Sequence, residues 1–399
     1  MTKSRTGNNK FLKAYNEAGI LDLIRTGKAL SRADLSKATG LSPTATGAIV
    51  SVLLEKGYIH ETGTGESKGG RKPVLLELKP DSYYSIGLDV DVDSISYILS
   101  DIAGRMVYEG STALVSPSSD TVAATAEACI REIVKSRSIG TDRLLGIGIS
   151  VPGMVDASTH NVLLAPNLGW EDVDLGTVLK SQLGLPVYIE NEAMASAICE
   201  NWIGACQGVS NFVCVNIRSG IGAGIFTGGR LYRGSGGSAG EVGHIVVDEK
   251  GPRCGCGNYG CLETIASTGR IVEKARRMVR QGVVSSLNSF ADVESIDFNH
   301  IVEAARTGDE ASKDLLNEAA RYLGIALSSL VNTLNPSKIV LGKDFVLYSD
   351  LVMEMLRSVV ECKALKRPAA NVEIAVSEIG ERASTLGAAI IPLKILFGR

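Results

Sequence analysis

The sequence predicts a small winged helix-turn-helix, all-α with a β-wing, followed by a two-lobed α/β body. Three observations predict it. Two short helical segments with clear start signals flank a Gly-containing turn near residue 40 and lead into two alternating strands joined by a basic tip. From residue 84, three strands precede a helix and a buried strand, the order of an α/β layer with a mixed sheet. A chain of 399 residues is long enough for two or three such domains, each with its own core.

Composition narrows the class of protein. No apolar run reaches the roughly 18 residues of a membrane span, and the first ten residues lack the apolar core of a signal peptide, so a cytoplasmic chain without membrane contact is expected. Eight Cys are present, but five of them (Cys129, Cys199, Cys206, Cys214, Cys362) are scattered in a way that does not resemble a disulfide framework. Charge is uneven. Residues 1–80 hold 13 Lys and Arg against 7 Asp and Glu, a net of +6, whereas the remainder carries −9. A basic head on an acidic body points the head at a polyanion.

Within residues 1–80, Phe11, Leu12, Tyr15, Ile20, Leu21, Leu23 and Ile24 outline a first helix or helix pair ending near Gly27. Ser31-Arg32-Ala33-Asp34 has the form of a capping box and opens a second helix that Gly40 stops. Ser42 is an N-cap with Pro43 at the first helical position, starting a third helix that runs to about Lys56. In a helix-turn-helix the second of two such helices enters the major groove, which makes Thr44, Thr46 and Ser51 the candidate base contacts. Alternating segments 58–62 and 73–78 form the wing, and Arg71 and Lys72 at its tip are placed to reach a phosphate or the minor groove.

The body reads as strands 84–90, 94–99 and 105–108, a helix near 118–137, and a buried strand 145–151. Val187-Tyr188-Ile189 leads into Glu190-Asn191-Glu192 and an Ala-rich helix, so polar groups sit at a strand's C-terminal end, where α/β folds bind ligands. Later helices are expected near 267–281, 298–307, 310–334, 346–361 and 383–395. Between the Gly-rich run 234–240 and the first of these stand His244, Cys254, Cys256 and Cys261, within eighteen positions. One imidazole and three thiols are a standard closed set for structural zinc, with no open position for a reactive water.

The pattern Glu241-x-Gly-His244, then Cys254-x-Cys256-Gly-x-x-Gly-Cys261-x-Glu263, resembles the zinc and sugar-binding segment of the ROK family of bacterial repressors and sugar kinases. The Gly70-Arg71-Lys72-Pro73 wing resembles that of its repressors. The resemblance implies an actin-like (ribonuclease H-like) fold, with lobe 1 at 81–190, joined by a returning segment 377–399, and lobe 2 with the zinc loop at 191–376. It implies a sugar pocket built from Gly153, Asn167, Asn191, Glu192, Glu241, His244 and Glu263, with His244 giving one ring nitrogen to zinc and the other to the sugar.

Departures from the family's kinases shape the functional expectation. Where kinases carry Asp-x-Gly-Gly-Thr against ATP phosphates, this chain has Asp89-Val90-Asp91-Val92-Asp93, whose extra carboxylates oppose a phosphate. Glu192 replaces the general-base Asp, and Gly342-Lys343-Asp344 replaces a Gly-Gly-Gly near adenine. The turn 217–225 keeps the family's second Gly-rich phosphate loop. The expected protein is therefore not an enzyme but a sugar-responsive repressor that binds double-stranded operator DNA as a homodimer or dimer of dimers and releases it on binding a monosaccharide. The Asn-Glu-Ala sequence at 191–193, similar to that of xylose-repressor-type members, points to xylose. The alternative is an ATP-dependent sugar kinase with an appended DNA-binding domain.

Overall fold

A computed structural model describes residues 9–27, 29–65, 72–156 and 158–398. Arg71, at the expected wing tip, lies outside them. Contacts gather the chain into two compact units, one comprising Met1–Val151, His160–Ile189 and Ala388–Arg399, the other Pro152–Thr159 and Glu190–Gly387. The chain thus rejoins the first unit at Ala388, later than the 377 read from sequence. Among the described residues no helix is long and apolar enough to cross a membrane.

In the first unit, helix α1 (Asn9–Thr26) precedes a short strand β1 (Leu30–Ser31), helices α2 (Arg32–Thr39) and α3 (Pro43–Glu55), and strands β2 (Ile59–Thr64) and β3 (Val74–Leu78), which pair in the order β1-β3-β2. Local chemistry sets the helix starts. Asp34 N donates to Ser31 Oγ at 3.2 Å while Ser31 N donates to Asp34 Oδ2 at 3.0 Å, a reciprocal capping box. Ala45 N donates to Ser42 Oγ at 3.2 Å, and Gly40 takes a left-handed φ of 71° that closes α2. Ile20, Leu21, Ile24, Leu35, Val50, Leu53, Ile59 and Leu76 make the core.

One sequence expectation is corrected here. Thr46 is 0% exposed, and its hydroxyl has no hydrogen-bond partner among the described residues. It stands one helical turn before Ile49 and Val50 and so shares their inward face, away from any base edge. The first helix is present as read, with Phe11 and Tyr15 62% and 66% exposed on it. Nine positions separate Phe11 from Ile20, which puts it on the opposite side of a helix with 3.6 residues per turn. Both line a groove of about 590 Å³ with Leu53, Ile395 and Leu396.

The rest of this unit is a five-stranded sheet. Strands β4 (Tyr84–Val90), β5 (Ser94–Asp101) and β6 (Met106–Ala113) form an antiparallel meander, helix α4 (Ser119–Ser136) crosses over, and β7 (Leu144–Val151) returns parallel to β4. After β8 (Met154–Asp156), which belongs to the second unit, come β9 (Asn161–Ala165), β10 (Trp170–Val173), α5 (Leu175–Leu183) and β11 (Val187–Asn191), completing the order β11-β7-β4-β5-β6.

The second unit opens with α6 (Glu192–Trp202), then β12 (Phe212–Ile217), β13 (Ile221–Thr227) and β14 (Arg230–Tyr232), a long loop, and helices α7 (Glu263–Ala266), α8 (Thr268–Arg280), α9 (Phe298–Arg306) and α10 (Glu310–Leu334). Strand β15 (Lys338–Lys343), α11 (Phe345–Lys363), α12 (Lys366–Asn371) and β16 (Glu373–Val376) follow, and α13 (Ala383–Leu396), which belongs to the first unit from Ala388 on, finishes the chain. The sheet order is β14-β13-β12-β15-β16, with β12 antiparallel to β13 and parallel to β15. The Leu stripe of α10 (Leu316, Leu323, Leu327, Leu330) is buried in the core against β12, β15 and α11 residues such as Val215, Leu341 and Leu356.

Candidate functional site

The donor atoms of His244, Cys254, Cys256 and Cys261 all lie within 4.8 Å of one another. Glycines make that convergence feasible. Gly260, with φ +66°, carries the chain so close to Asp248 that a Cβ would sit 1.5 Å from its carbonyl oxygen, and at Gly243 a Cβ would sit 2.3 Å from the Ile221 carbonyl oxygen. Cys256 Sγ and Cys261 Sγ are 3.7 Å apart, and Cys254 Sγ is 3.6 Å from His244 Nδ1. Tetrahedral ligation with bonds of about 2.3 Å to sulfur and about 2.0 Å to nitrogen requires separations of roughly 3.5–3.8 Å, so the set fits a divalent ion. Its chemistry fits too. Burial pushes the Cys261 thiol up to about 12, and a doubly charged cation is what holds a buried thiol as thiolate.

Nδ1 of His244 faces the sulfurs, and Nε2 stands 4.0 Å from Glu241 Oε2. Desolvation, opposed by His244 and reinforced by Glu263, holds the Glu241 carboxyl above its ordinary range. Glu263 opens α7 and accepts from the backbone N–H of Ile221 at 3.1 Å, which docks it on the β12–β13 turn. Asn191 is the N-cap of α6. Its Oδ1 accepts from Ala193 N and Met194 N at 2.9 and 3.1 Å, and its Nδ2 donates to the Gly153 carbonyl at 2.8 Å. Glu192 is half-buried at the first position of α6. These six residues, Gly153 included, belong to the second unit. Asn167 belongs to the first, on an exposed 3-10 turn, Pro166–Leu168.

The pairing of Arg233 with Glu190 escaped the sequence reading. Arg233 donates through both terminal nitrogens to the two carboxylate oxygens of Glu190, which is 3% exposed, and Glu190 Oε1 also accepts from Asn191 N. This fork ties the start of the Gly-rich loop to the start of α6. Ala239 N donates to Arg233 O at 3.1 Å, Ala223 N to Gly240 O at 2.8 Å, and Ser238 Oγ contacts Met154 Sδ at 3.2 Å. The Gly-rich loop is therefore anchored at both ends. Its only sequence signal was an Arg immediately before a glycine run.

At the end of β15, paired with Ile217, Lys343 has a left-handed φ of 57°, is 1% exposed, and donates to Ser384 Oγ at 2.6 Å. Asp344 accepts from Thr268 Oγ1 at 2.9 Å and stands 3.9 Å from Arg218 Nε. In the first unit Ser150 Oγ donates to Asp89 Oδ1, and Asp91 closes its own turn by accepting from Val92 N.

Two α/β units with these sheet orders, one bearing a His-Cys cluster beside capped carboxylates, define an actin-like body of the sugar-kinase type. The chain belongs to the ROK family, whose profile matches residues 85–395. It is 35% identical over 382 residues, 96% of each chain, to a xylose repressor of Caldicellulosiruptor bescii. Among solved structures it is similar to a ROK family transcriptional regulator, a homologue of the E. coli MLC protein, with a TM-score of 0.86, 30% identity and 97% of both chains covered. A ROK family glucokinase from Streptomyces griseus in complex with glucose and AMPPNP matches with a TM-score of 0.67 and 32% identity, over 77% of this chain and 98% of that one.

Proposed function

We propose that the protein is a sugar-responsive transcriptional repressor of carbohydrate-utilisation genes, whose winged helix-turn-helix head binds operator DNA and lets go when a monosaccharide, xylose foremost, occupies the body. The observation that carries this reading is coverage: the likeness to the ROK regulator includes the head, and the chain's own head has a capped α2, a Gly40 turn, a capped α3 and a hairpin in the order such modules use. The retained glycine turn at 217–225 favours a kinase as second reading. Against it stand the extra carboxylates of Asp91 and Asp93, and the buried ammonium of Lys343 where the family's kinases have glycine.

In this reading His244, Cys254, Cys256 and Cys261 hold a structural zinc, which keeps the thiols ionised and stiffens the loop. Glu241, Glu263 and the outward Nε2 of His244 then offer hydrogen bonds to hydroxyls, joined by Asn191, Glu192 and Gly153. A neutral polyol needs that many polar partners because it leaves as many waters behind. The sugar acts through differential affinity. Moving the operator-competent population from ~99% to ~1% requires a preference of about 10⁴ for the released state. A homodimer or dimer of dimers presents two heads about 34 Å apart, so a small change of spacing abolishes the fit.

The test is anisotropy of the full-length protein on a duplex selected from a random library. Expected are a steep fall of log K with log salt and release by at least one monosaccharide. ATP-dependent phosphorylation of that sugar at ordinary kinase rates would defeat the repressor reading. Asn191→Asp refines it. Aspartate caps α6 equally well but cannot donate to Gly153 and sets a carboxylate against its carbonyl. Calorimetry should therefore show sugar binding weakened by about tenfold or more with little change in melting temperature.

A further inference from the structure

We propose that the head reads its operator chiefly through thymine methyl groups, with Thr44, Gly47, Ala48 and Ser51 of α3 as the reading face. This rests on the DNA-binding reading of the head and states what that head recognises. α3 has the sequence Pro-Thr-Ala-Thr-Gly-Ala-Ile-Val-Ser-Val-Leu-Leu-Glu. Thr46, Ile49, Val50 and Leu53 are buried, whereas Thr44, Ala48 and Ser51 are exposed and Gly47 is half-exposed. At roughly 100° per residue, those four positions fall in one stripe facing away from the core.

What the stripe lacks decides the argument. Guanine and adenine are read by the two-pronged donors and acceptors of Arg, Asn and Gln, none of which occurs anywhere in α3. The first basic residue after it, Lys56, is paired with Glu17 at 2.8 Å. The stripe instead offers the methyl groups of Thr44 and Ala48, and a bare backbone at Gly47, where an added Cβ would meet nothing within 4 Å. Ser51 Oγ donates to the Gly47 carbonyl at 3.0 Å, so it turns lone pairs outward. A helix face this shallow lets the backbone approach the groove floor, and the C5 methyl of thymine is the base-edge group that small apolar side chains match. Lys37 and Lys72, both exposed, remain for phosphates.

The experiment uses the full-length protein and a duplex that it selects from a random library. Thymines are replaced one at a time by deoxyuridine, which removes only the C5 methyl. At contacted steps affinity should fall about fourfold per methyl, the worth of one buried methylene-sized group. Ala48→Gly should make the thymine and uracil versions bind equally at one step, a convergence that a merely loosened head would not produce, since that weakens both alike. Equal binding of thymine and uracil duplexes at every position would overturn the proposal. Failure to bind any duplex at low salt would instead overturn the DNA-binding reading beneath it.

Discussion

Cys256→Ser is expected to release the metal, lower stability by about 4 kcal/mol and abolish the response to sugar. The exposed Cys256 is the informative ligand to change. Serine nearly matches its volume, so no packing is lost, and what disappears is a thiolate. Cys261 is 0% exposed, so its replacement would mix metal loss with a cavity. With one ligand gone, the remaining thiols face each other across less than 5 Å of buried space. The loop that carries Glu241 and His244 then loses the anchor that fixes their direction. Elemental analysis paired with a melting curve reads the result. One zinc per chain in the parent, none in the variant and a clear drop in melting temperature are expected. An unchanged melting temperature in metal-free protein would show that the four side chains meet for another reason.

The second large effect is on the fold of the first unit. In Gly148→Ala the new Cβ would stand 1.9 Å from the Ala388 carbonyl oxygen and 2.6 Å from its carbon. Both atoms are backbone of α13, and Gly148 itself lies in the middle of β7, so no rotamer change relieves the overlap. A loss of on the order of 4 kcal/mol, or failure to accumulate folded protein, is expected from urea unfolding. The same substitution at Gly19, inside α1 with nothing within 4 Å, should stabilise by up to about 1 kcal/mol. Opposite signs for one chemical change would isolate close packing from backbone entropy. Equal effects would refute the close approach.

Legibility in the sequence followed the range of the interactions. Ser31 with Asp34, and Ser42 with Ala45, act within a helical turn, so their bonds were readable as spacing. The long α10 and its Leu face were readable from periodicity, and the His-Cys cluster from residue types packed into one loop. Thr46 was misplaced because composition marks small polar residues as surface, while its azimuth, shared with Ile49 and Val50, places it inside. Ala48 and Gly47, which carry no polar signal, were passed over for the same reason.

Long-range geometry stayed hidden. Nothing at Arg233 announces Glu190, 43 positions earlier, as its partner, and nothing at Gly148 announces Ala388. By itself the sequence determined where the head's capped helices start, which side chains can ligate a metal, and that the head is basic. Each of these depends on neighbours within a few residues or on composition. Only the tertiary structure decided which side of α3 faces out, which glycines permit contact between distant backbones, and that the loop before Glu241 is tied down. Those outcomes depend on which surfaces are pressed together once the chain has folded.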